Sequence, residues 1–130
     1  MASTFASTVD SRPLDTPGVY VGGTVVKAGV ASGSLQNVSA VTDKPSGVLT
    51  RSPDTQLNDP TFIDHGGIVV SGPATGLAGA AIEVDQDVVI TATGTLVPKS
   101  GAGYVVGTAL MKAASGEYFE MLVNIRKEPA

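Results

Sequence analysis

The last part of the chain alternates regularly between apolar and polar side chains. Over residues 118–125 the odd positions hold Phe119, Met121, Val123 and Ile125, and the even positions hold Tyr118, Glu120, Leu122 and Asn124. Successive side chains of a β-strand point to opposite faces of a sheet, so a period of two predicts a strand with one buried face. The apolar run YVVGTAL, residues 104–110, predicts a second strand just before it.

Short apolar runs recur through the rest of the chain, with Gly, Pro, Asp or Asn between them. They predict strands at residues 19–27, 35–41, 47–51, 66–71, 80–85, 87–93, 104–110 and 117–125. Good helix formers at 109–115 predict one helical turn. The polar, proline-bearing stretch 52–62 predicts an exposed loop. This spacing predicts an all-β fold, either a small β-sandwich or a barrel-like domain.

Composition supports this fold class and indicates how the surface is built. Val, Ile and Thr, which favour strands, supply 36 of the 130 residues. Only 15% of the residues are charged, against about 25% in a typical soluble protein. A surface rich in Ser, Thr, Gly and Ala can pack against another protein with little cost of desolvating charges. The net charge of −4, with scattered Lys and Arg, argues against binding to nucleic acid.

The N-terminal segment differs from the rest of the chain. Residues 1–17 are rich in Ser and Thr, contain two prolines and carry isolated apolar side chains, so we expect an extended arm followed by a single β-rich domain over 18–130. The arm either lies free or orders against a neighbouring subunit through Phe5 and Val9. No basic leader or apolar run of about 20 residues is seen, so neither a secretory signal nor a membrane partner is expected.

Candidate reactive groups are few and do not form a known catalytic motif. The chain has no cysteine, and its single histidine, His65, would need a distant serine to form a hydrolase site. Glu83, Asp85 and Asp87 would share one face of a continuous strand; an acidic stripe facing solvent or a subunit is the main interpretation, and a weak cation site stays open. We therefore predict no catalytic residues, no metal and no cofactor, and a protein that is not an enzyme.

The order of the segments resembles a family of phage proteins. GTVVKAGV, SGVLTR, GGIVVSGPATGLAGAAIEVDQD and GTLVPKSGAGYVVGTALMKAASGEYFEMLVNI are similar to the small capsid cement, or head decoration, proteins of tailed bacteriophages. The residues that match that family's middle and later elements are Ala78, Gly79, Ile82, Val84, Asp85, Gly107, Thr108, Ala109 and Leu110, with Val123 and Ile125 in the final strand. The resemblance covers residues 19–126 and leaves the arm and the 52–62 stretch unmatched.

The resemblance implies a non-enzymatic protein on the outer surface of the virion's capsid. It would bind the expanded head, bridge subunits of the major capsid protein, and associate with itself, as a trimer in preference to a dimer. Candidate residues for contact with the capsid or another subunit are Phe5, Val9, Leu14, Tyr104, Tyr118 and Leu122. A structural module of a phage tail or receptor-binding protein is the alternative, and the aromatic content of 5% argues against a carbohydrate-facing groove.

Overall fold

The fold is all-β. A computed structural model of the chain describes residues 8–15, 20–50, 61–62 and 65–129. The strands in these ranges are β1 (Thr8–Pro13), β2 (Tyr20–Val21), β3 (Val25–Ala28), β4 (Leu35–Asn37), β5 (Gly47–Leu49), β6 (Thr61–Phe62), β7 (His65–Leu77), β8 (Asp87–Ile90), β9 (Leu96–Pro98), β10 (Gly103–Ala109) and β11 (Tyr118–Glu128). Within those ranges, no helix is long and apolar enough to cross a bilayer.

Nine of the strands form one antiparallel sheet. Its order is β4-β3-β5-β7-β11-β10-β8-β9, and β1 pairs with β7 beside this path, while β2 and β6 form a separate pair. The long strand β7 organises the sheet because its two halves have different partners. Its first half, through Ser71, pairs with β1 and β5, and its second half, from Ser71 to Leu77, pairs with β11.

The sheet curls into a barrel-like shape, as the sequence predicted. The curl brings the edge strand β9 back to the end of β7, where Leu96 forms a parallel bridge with Ala78. The N–H of Gly79 also donates to the carbonyl of Leu96 at 2.8 Å. These contacts cover part of an edge that would otherwise expose unpaired backbone groups.

The main core lies inside the curl. The alternation predicted for the final strand is confirmed, because Phe119, Met121 and Val123 are buried there and Glu120 and Leu122 point outward. Buried side chains from β5, β7, β8 and β10 complete the same cluster. The period of two along β11 therefore sets which face of the sheet meets the core.

A second core lies on the opposite face of the first strands of the sheet. In β5, Val48 packs in the main core while its neighbour Leu49 packs in the second. The same division separates Val25 from Val26 in β3 and Ile68 from Val69 in β7. Strands buried on both faces contain adjacent apolar residues, which explains why these runs lack the alternation of β11.

Residues of the N-terminal segment cover this second core in the same chain. After β1 pairs with β7, Leu14 is buried and bridges Leu35 of β4. The Asp15 carboxylate then accepts hydrogen bonds from Ser34 Oγ at 2.6 Å and from the N–H of Val30 at 2.7 Å. These two bonds lower the pKa of Asp15, the bond from Ser34 contributing most. Residues 1–7 and 16–17 lie outside the described residues, so the 1–17 and 18–130 boundaries stay predictions.

Several details of the predicted elements are wrong. Residues 80–85 do not form a strand: Ile82 makes one bridge with Ala113, and the chain turns at Asp85, whose φ is +68°. The chain at 109–115 forms no helical turn, since β10 continues through Ala109 and is followed by bends and that bridge. Residues 72–77 and 96–98, which the prediction left outside the strands, are strand. Of the predicted loop at 52–62, residues 52–60 lie outside the described residues, and Thr61–Phe62 is strand β6.

Candidate interaction surface

Exposed apolar side chains gather at one end of the β10–β11 hairpin. Among the described residues, seven large apolar side chains are exposed, and four of them belong to this end of the hairpin. They are Val84 at 54% exposure, Leu110 at 46%, Met111 at 45% and Leu122 at 40%. We call these four residues the apolar patch. A contiguous exposed apolar surface is typical of a site that contacts another macromolecule.

Backbone hydrogen bonds bring the four residues of the apolar patch together. The N–H of Leu110 donates to the carbonyl of Glu120 at 2.9 Å, which sets Leu110 beside the outward face of β11 that carries Leu122. The N–H of Asp85 donates to the carbonyl of Ala109 at 2.8 Å, which sets the turn that carries Val84 beside Leu110 and Met111.

Both loops at this end of the molecule are fixed by their own side chains. The N–H of Glu83 donates to Gln86 Oε1 at 2.8 Å, and the N–H of Ala114 donates to Glu117 Oε1 at 2.8 Å. The left-handed φ of Asp85 completes the first turn, a conformation that Asp tolerates better than most residues do. The apolar patch is thus presented by ordered loops, which reduces the entropy lost when a partner binds.

Acidic side chains surround the apolar patch. Glu83, Asp85, Glu117 and Glu120 are exposed, and none of them forms an ion pair with another described residue. Because the chain turns at Asp85, Glu83, Asp85 and Asp87 do not form the continuous strand face that the sequence predicted. In the part of the chain that the structure describes, no group of three or more acidic or histidine side chains converges as metal ligands.

Asp87 is drawn away from that acidic group by its own partners. It accepts hydrogen bonds from Thr108 Oγ1 at 2.9 Å and from Arg126 Nη2 at 3.1 Å. Arg126 also pairs with Glu128, and that hydrogen bond, opposed by desolvation, is the main reason that the pKa of Arg126 is raised. Asp87 therefore belongs to an ion-pair network on the sheet and is not available as part of an acidic stripe.

A groove of about 440 Å³ lies at the opposite end of the same hairpin. Its apolar lining includes Val41, Val89, Val97 and Pro98, and the glycine-containing turn 100–103 forms one wall. Tyr104 and Lys127 also line it, with the Lys127 ammonium 5.6 Å from the centre of the Tyr104 ring. That geometry is a cation–π contact and holds a positive charge at the edge of an apolar surface.

Asp43 fixes the loop that carries Val41 into this groove. Its carboxylate accepts hydrogen bonds from the N–H of Ser39 at 2.7 Å, the N–H of Ala40 at 2.9 Å and Lys27 Nζ at 3.0 Å. The Ser39 bond, then the Lys27 bond, lower the pKa of Asp43 to about 2. The ionised carboxylate is therefore the form that orders this wall of the groove.

The six predicted contact residues fall in different places. Leu122 belongs to the apolar patch and Tyr104 to the groove, and Val9 is exposed on β1. Tyr118 is half-buried at the start of β11, with its ring against Gly23. Leu14 packs in the second core of its own chain, so its side chain is not at the surface. Phe5 lies outside the described residues, as do the side chains of His65 and Phe62.

Three residues of the apolar patch were not identified from the sequence. Leu110 and Met111 fall in the predicted helical turn at 109–115, and Val84 falls in the predicted strand at 80–85. A usable signal was present, because the segment VDQD places a polar pair directly after Val84 and is typical of a turn. Recognising that turn would have predicted an exposed Val84.

Comparison with known proteins gives a match in fold and none in sequence. No protein-family model and no curated protein matches the sequence. Among solved structures, the chain is similar to the N base of the head fiber gp8.5 of bacteriophage phi29. The two share 14% sequence identity with a TM-score of 0.66, over 92% of this chain and 95% of that one. At this identity the likeness establishes that the two chains share a fold.

Proposed function

We propose that this protein is a structural component of a bacteriophage head, a cement or decoration protein that binds the outside of the expanded capsid. It bridges neighbouring subunits of the major capsid protein and stabilises the shell. The observation that carries this proposal is the match in fold to a phage head fiber base over almost the whole of both chains. The resemblance of residues 19–126 to capsid cement proteins points independently to the same part of a virion.

The surface of the molecule supports a role in contacts between proteins. The apolar patch exposes four large side chains on ordered loops, as a protein-binding surface requires. In this proposal the protein has no catalytic activity, needs no cofactor or metal, and binds neither nucleic acid nor membrane. Its partners are the major capsid protein and other copies of itself, with a trimer as the proposed assembly.

The proposed mechanism is stabilisation by selective binding. A protein that binds only the expanded arrangement of subunits shifts the equilibrium toward that arrangement by mass action. Repetition of the contact over many symmetric sites multiplies the effect, since each bound copy engages more than one subunit. The N-terminal residues, with Phe5 and Val9, add a further contact in this proposal by pairing with a strand edge of the capsid.

A second candidate is the base of a head fiber, and the fold match itself favours it. A base anchors a fiber to the head and needs only to bind, whereas a cement protein must also raise the stability of the shell. The two candidates share the prediction of binding to the capsid and differ in whether the shell becomes harder to disrupt.

Binding is tested by co-sedimentation with heads of the phage that encodes the chain. We expect the protein to pellet with expanded heads at a fixed number of copies and to stay in the supernatant with unexpanded shells. Equal binding to both forms, or to neither, would contradict the proposal.

A matched pair of variants tests the apolar patch in the same assay. Val84→Ser changes a residue of the apolar patch, and Val30→Ser makes the same change at the more exposed valine of the β3–β4 loop, 89% exposed. We expect Val84→Ser to weaken binding about five- to tenfold, because a buried contact of this size is worth about 1 to 1.5 kcal/mol. Val30→Ser should bind as the unaltered protein does; an equal loss in both variants would exclude a specific role of the apolar patch.

A further inference from the structure

We propose that the groove at one end of the β10–β11 hairpin is the docking site for the apolar patch of a second copy of this chain. This inference rests on the proposed function, in which the apolar patch is a contact surface. It adds that the partner of the apolar patch is a second copy of the chain. The groove is concave and mainly apolar, with about 440 Å³ of space. A second copy presents exposed Val, Leu and Met side chains of suitable size.

Most of the charged side chains that lack an ion-pair partner among the described residues are near one of these two surfaces. In the described part of the chain, four cationic side chains lack an acidic partner: Lys44, Lys99, Lys112 and Lys127. One of them, Lys127, lines the groove. Two others are close to lining residues in sequence: Lys99 lies between Pro98 and Ser100, and Lys44 follows Thr42 by two positions.

Five acidic side chains of the described residues lack a cationic partner. Four of them, Glu83, Asp85, Glu117 and Glu120, lie around the apolar patch, with Lys112 near them, and the fifth, Asp15, is hydrogen-bonded beside the second core. An apolar patch bordered by acidic side chains and an apolar groove lined by Lys127 are complementary in both polarity and charge. Such complementarity favours the correct pairing of two surfaces and disfavours patch–patch and groove–groove contacts, in which like charges meet.

The two surfaces cannot meet within one molecule. Tyr104 begins the outgoing strand at the groove and Leu110 follows its end at the apolar patch. Six residues of extended chain separate them, which is about 20 Å at 3.3 Å per residue. Contact between them therefore requires two copies arranged head to tail.

A head-to-tail contact has a consequence for the size of the assembly. It joins two different surfaces, and it is satisfied in every copy only when the assembly closes. A two-fold dimer closes it when the two copies lie antiparallel, with each apolar patch in the partner's groove, and a ring of three closes it when each copy contacts two neighbours. The charge distribution therefore disfavours dimers through patch–patch or groove–groove contacts, and the proposed trimer is the ring of three.

Sedimentation velocity of the pure protein, without capsid, tests this inference by charge reversal. Glu120→Lys makes the border of the apolar patch more basic, and Lys127→Glu removes the basic charge of the groove; both side chains are exposed, so both variants should fold, as checked by circular dichroism. An exposed charge pair changes one contact about two- to fivefold, so each variant should lower the formation constant of a three-contact ring by roughly 10- to 100-fold. The unaltered ring should also weaken as salt is raised.

The double variant and a mixture of the two single variants test whether the two charges act on the same contact. The double variant Glu120→Lys/Lys127→Glu should recover association, because the acidic and basic borders are exchanged. In an equimolar mixture of the two single variants, the patch of each variant is complementary in charge to the groove of the other, so unlike copies should associate more strongly than either variant does alone. A protein that stays monomeric at all concentrations, or single variants that associate as the unaltered protein does, would overturn the inference.

This result is distinguishable from failure of the proposed function. Binding of a monomeric protein to expanded heads would overturn the head-to-tail contact and leave the head protein proposal standing. Rings that form in solution and do not bind heads would support the head-to-tail contact and overturn the head protein proposal.

Discussion

Single residues decide which parts of the N-terminal segment belong to the domain. Leu14 and Val9 are both isolated apolar residues in a polar sequence, and the sequence treats them alike. In the structure Leu14 is 4% exposed and packs with Tyr20 and Leu35, whereas Val9 is 56% exposed. Residues up to Asp15 therefore contribute to the fold, and a truncation that removes residues 2–16 would remove part of the second core.

Replacing each of these two residues shows how much it contributes to the stability of the fold. Leu14→Ala should lower the free energy of unfolding by about 2 to 5 kcal/mol, because it leaves a cavity in the second core. Val9→Ala, at an exposed position, should change it by less than about 0.5 kcal/mol. Urea denaturation of both variants measures the difference, and similar stabilities would contradict the placement of Leu14.

Asp43 gives the stability of the protein a defined dependence on pH. Its pKa falls from an ordinary 3.8 to about 2 on folding, so between these values the unfolded chain binds more protons than the folded chain does. The stabilisation by the carboxylate is therefore complete above about pH 4 and is lost as the pH falls toward 2. Asp43→Asn lacks this ionisation, so the difference in Tm between the two proteins should be largest near pH 6 and shrink on acidification.

A matched variant controls for removal of a surface charge. Asp10→Asn removes the carboxylate of an exposed pair with Arg12, in which both side chains are 44% exposed, and should change Tm little at any pH. A Tm difference for Asp43→Asn that stays constant from pH 6 to pH 2 would show that the ionised Asp43 carboxylate does not stabilise the fold.

At the scale of the elements, the pairing of β10 with β11 determines where the apolar patch lies. The register of this pair shifts between Val105 and Gly107, and beyond the shift Thr108 faces Leu122. Gly107 lies in close contact with the backbone of β11: a Cβ there would collide with the carbonyl oxygen of Leu122 and lie 2.9 Å from its carbonyl carbon. Glycine at this position thus permits the close, irregular pairing of the two strands.

Substitution of Gly107 should therefore disturb the hairpin. We expect Gly107→Ala to lower the free energy of unfolding by about 1 to 3 kcal/mol, since the backbone of β11 must move. Gly67→Ala is the control, because its nearest contact would be Thr50 Oγ1 at 3.3 Å, a side-chain atom. Thermal denaturation compares the two, and a Gly107→Ala variant as stable as Gly67→Ala would contradict the close contact.

The sequence predicts a strand correctly where a single local signal, such as alternation or an apolar run, determines the element. Regular alternation identified β11 and its buried face, and apolar runs identified β3, β5, β8 and β10. It failed at 80–85, where an alternating pattern occurs but the Asp85 turn and the Ile82–Ala113 bridge replace a strand. It also failed at 72–77, where Gly72, Pro73 and Gly76 suggested a break, because pairing with the neighbouring β11 maintains the strand.

The residues of the candidate surface could be predicted from the sequence where they lie on strands and not where they lie on loops. Leu122 and Tyr104 lie on strands whose pattern shows which way they point. Val84, Leu110 and Met111 lie on loops, and their exposure depends on hydrogen bonds between segments about 25 residues apart in sequence, such as that from Asp85 to Ala109. The local pattern can indicate the turn after Val84, but it does not show which segment that turn pairs with.

At the scale of the whole molecule, two candidate contact surfaces lie at opposite ends of the β10–β11 hairpin. They are the apolar patch, with acidic side chains around it, and the groove that Lys127 lines. The fold is shared with the base of a phage head fiber. A protein with contact surfaces at both ends can link neighbours on a symmetric shell, where every copy meets the same surroundings.

The temperature at which expanded heads break open, measured with and without saturating amounts of this protein, tests the cement function most directly. Release of the genome can be followed by the fluorescence of a DNA-binding dye while the heads are heated. We predict that bound protein raises the temperature of release, and that the Val84→Ser variant raises it less than Val30→Ser does at equal concentration. An unchanged release temperature on heads that carry the full complement of bound protein would contradict the account.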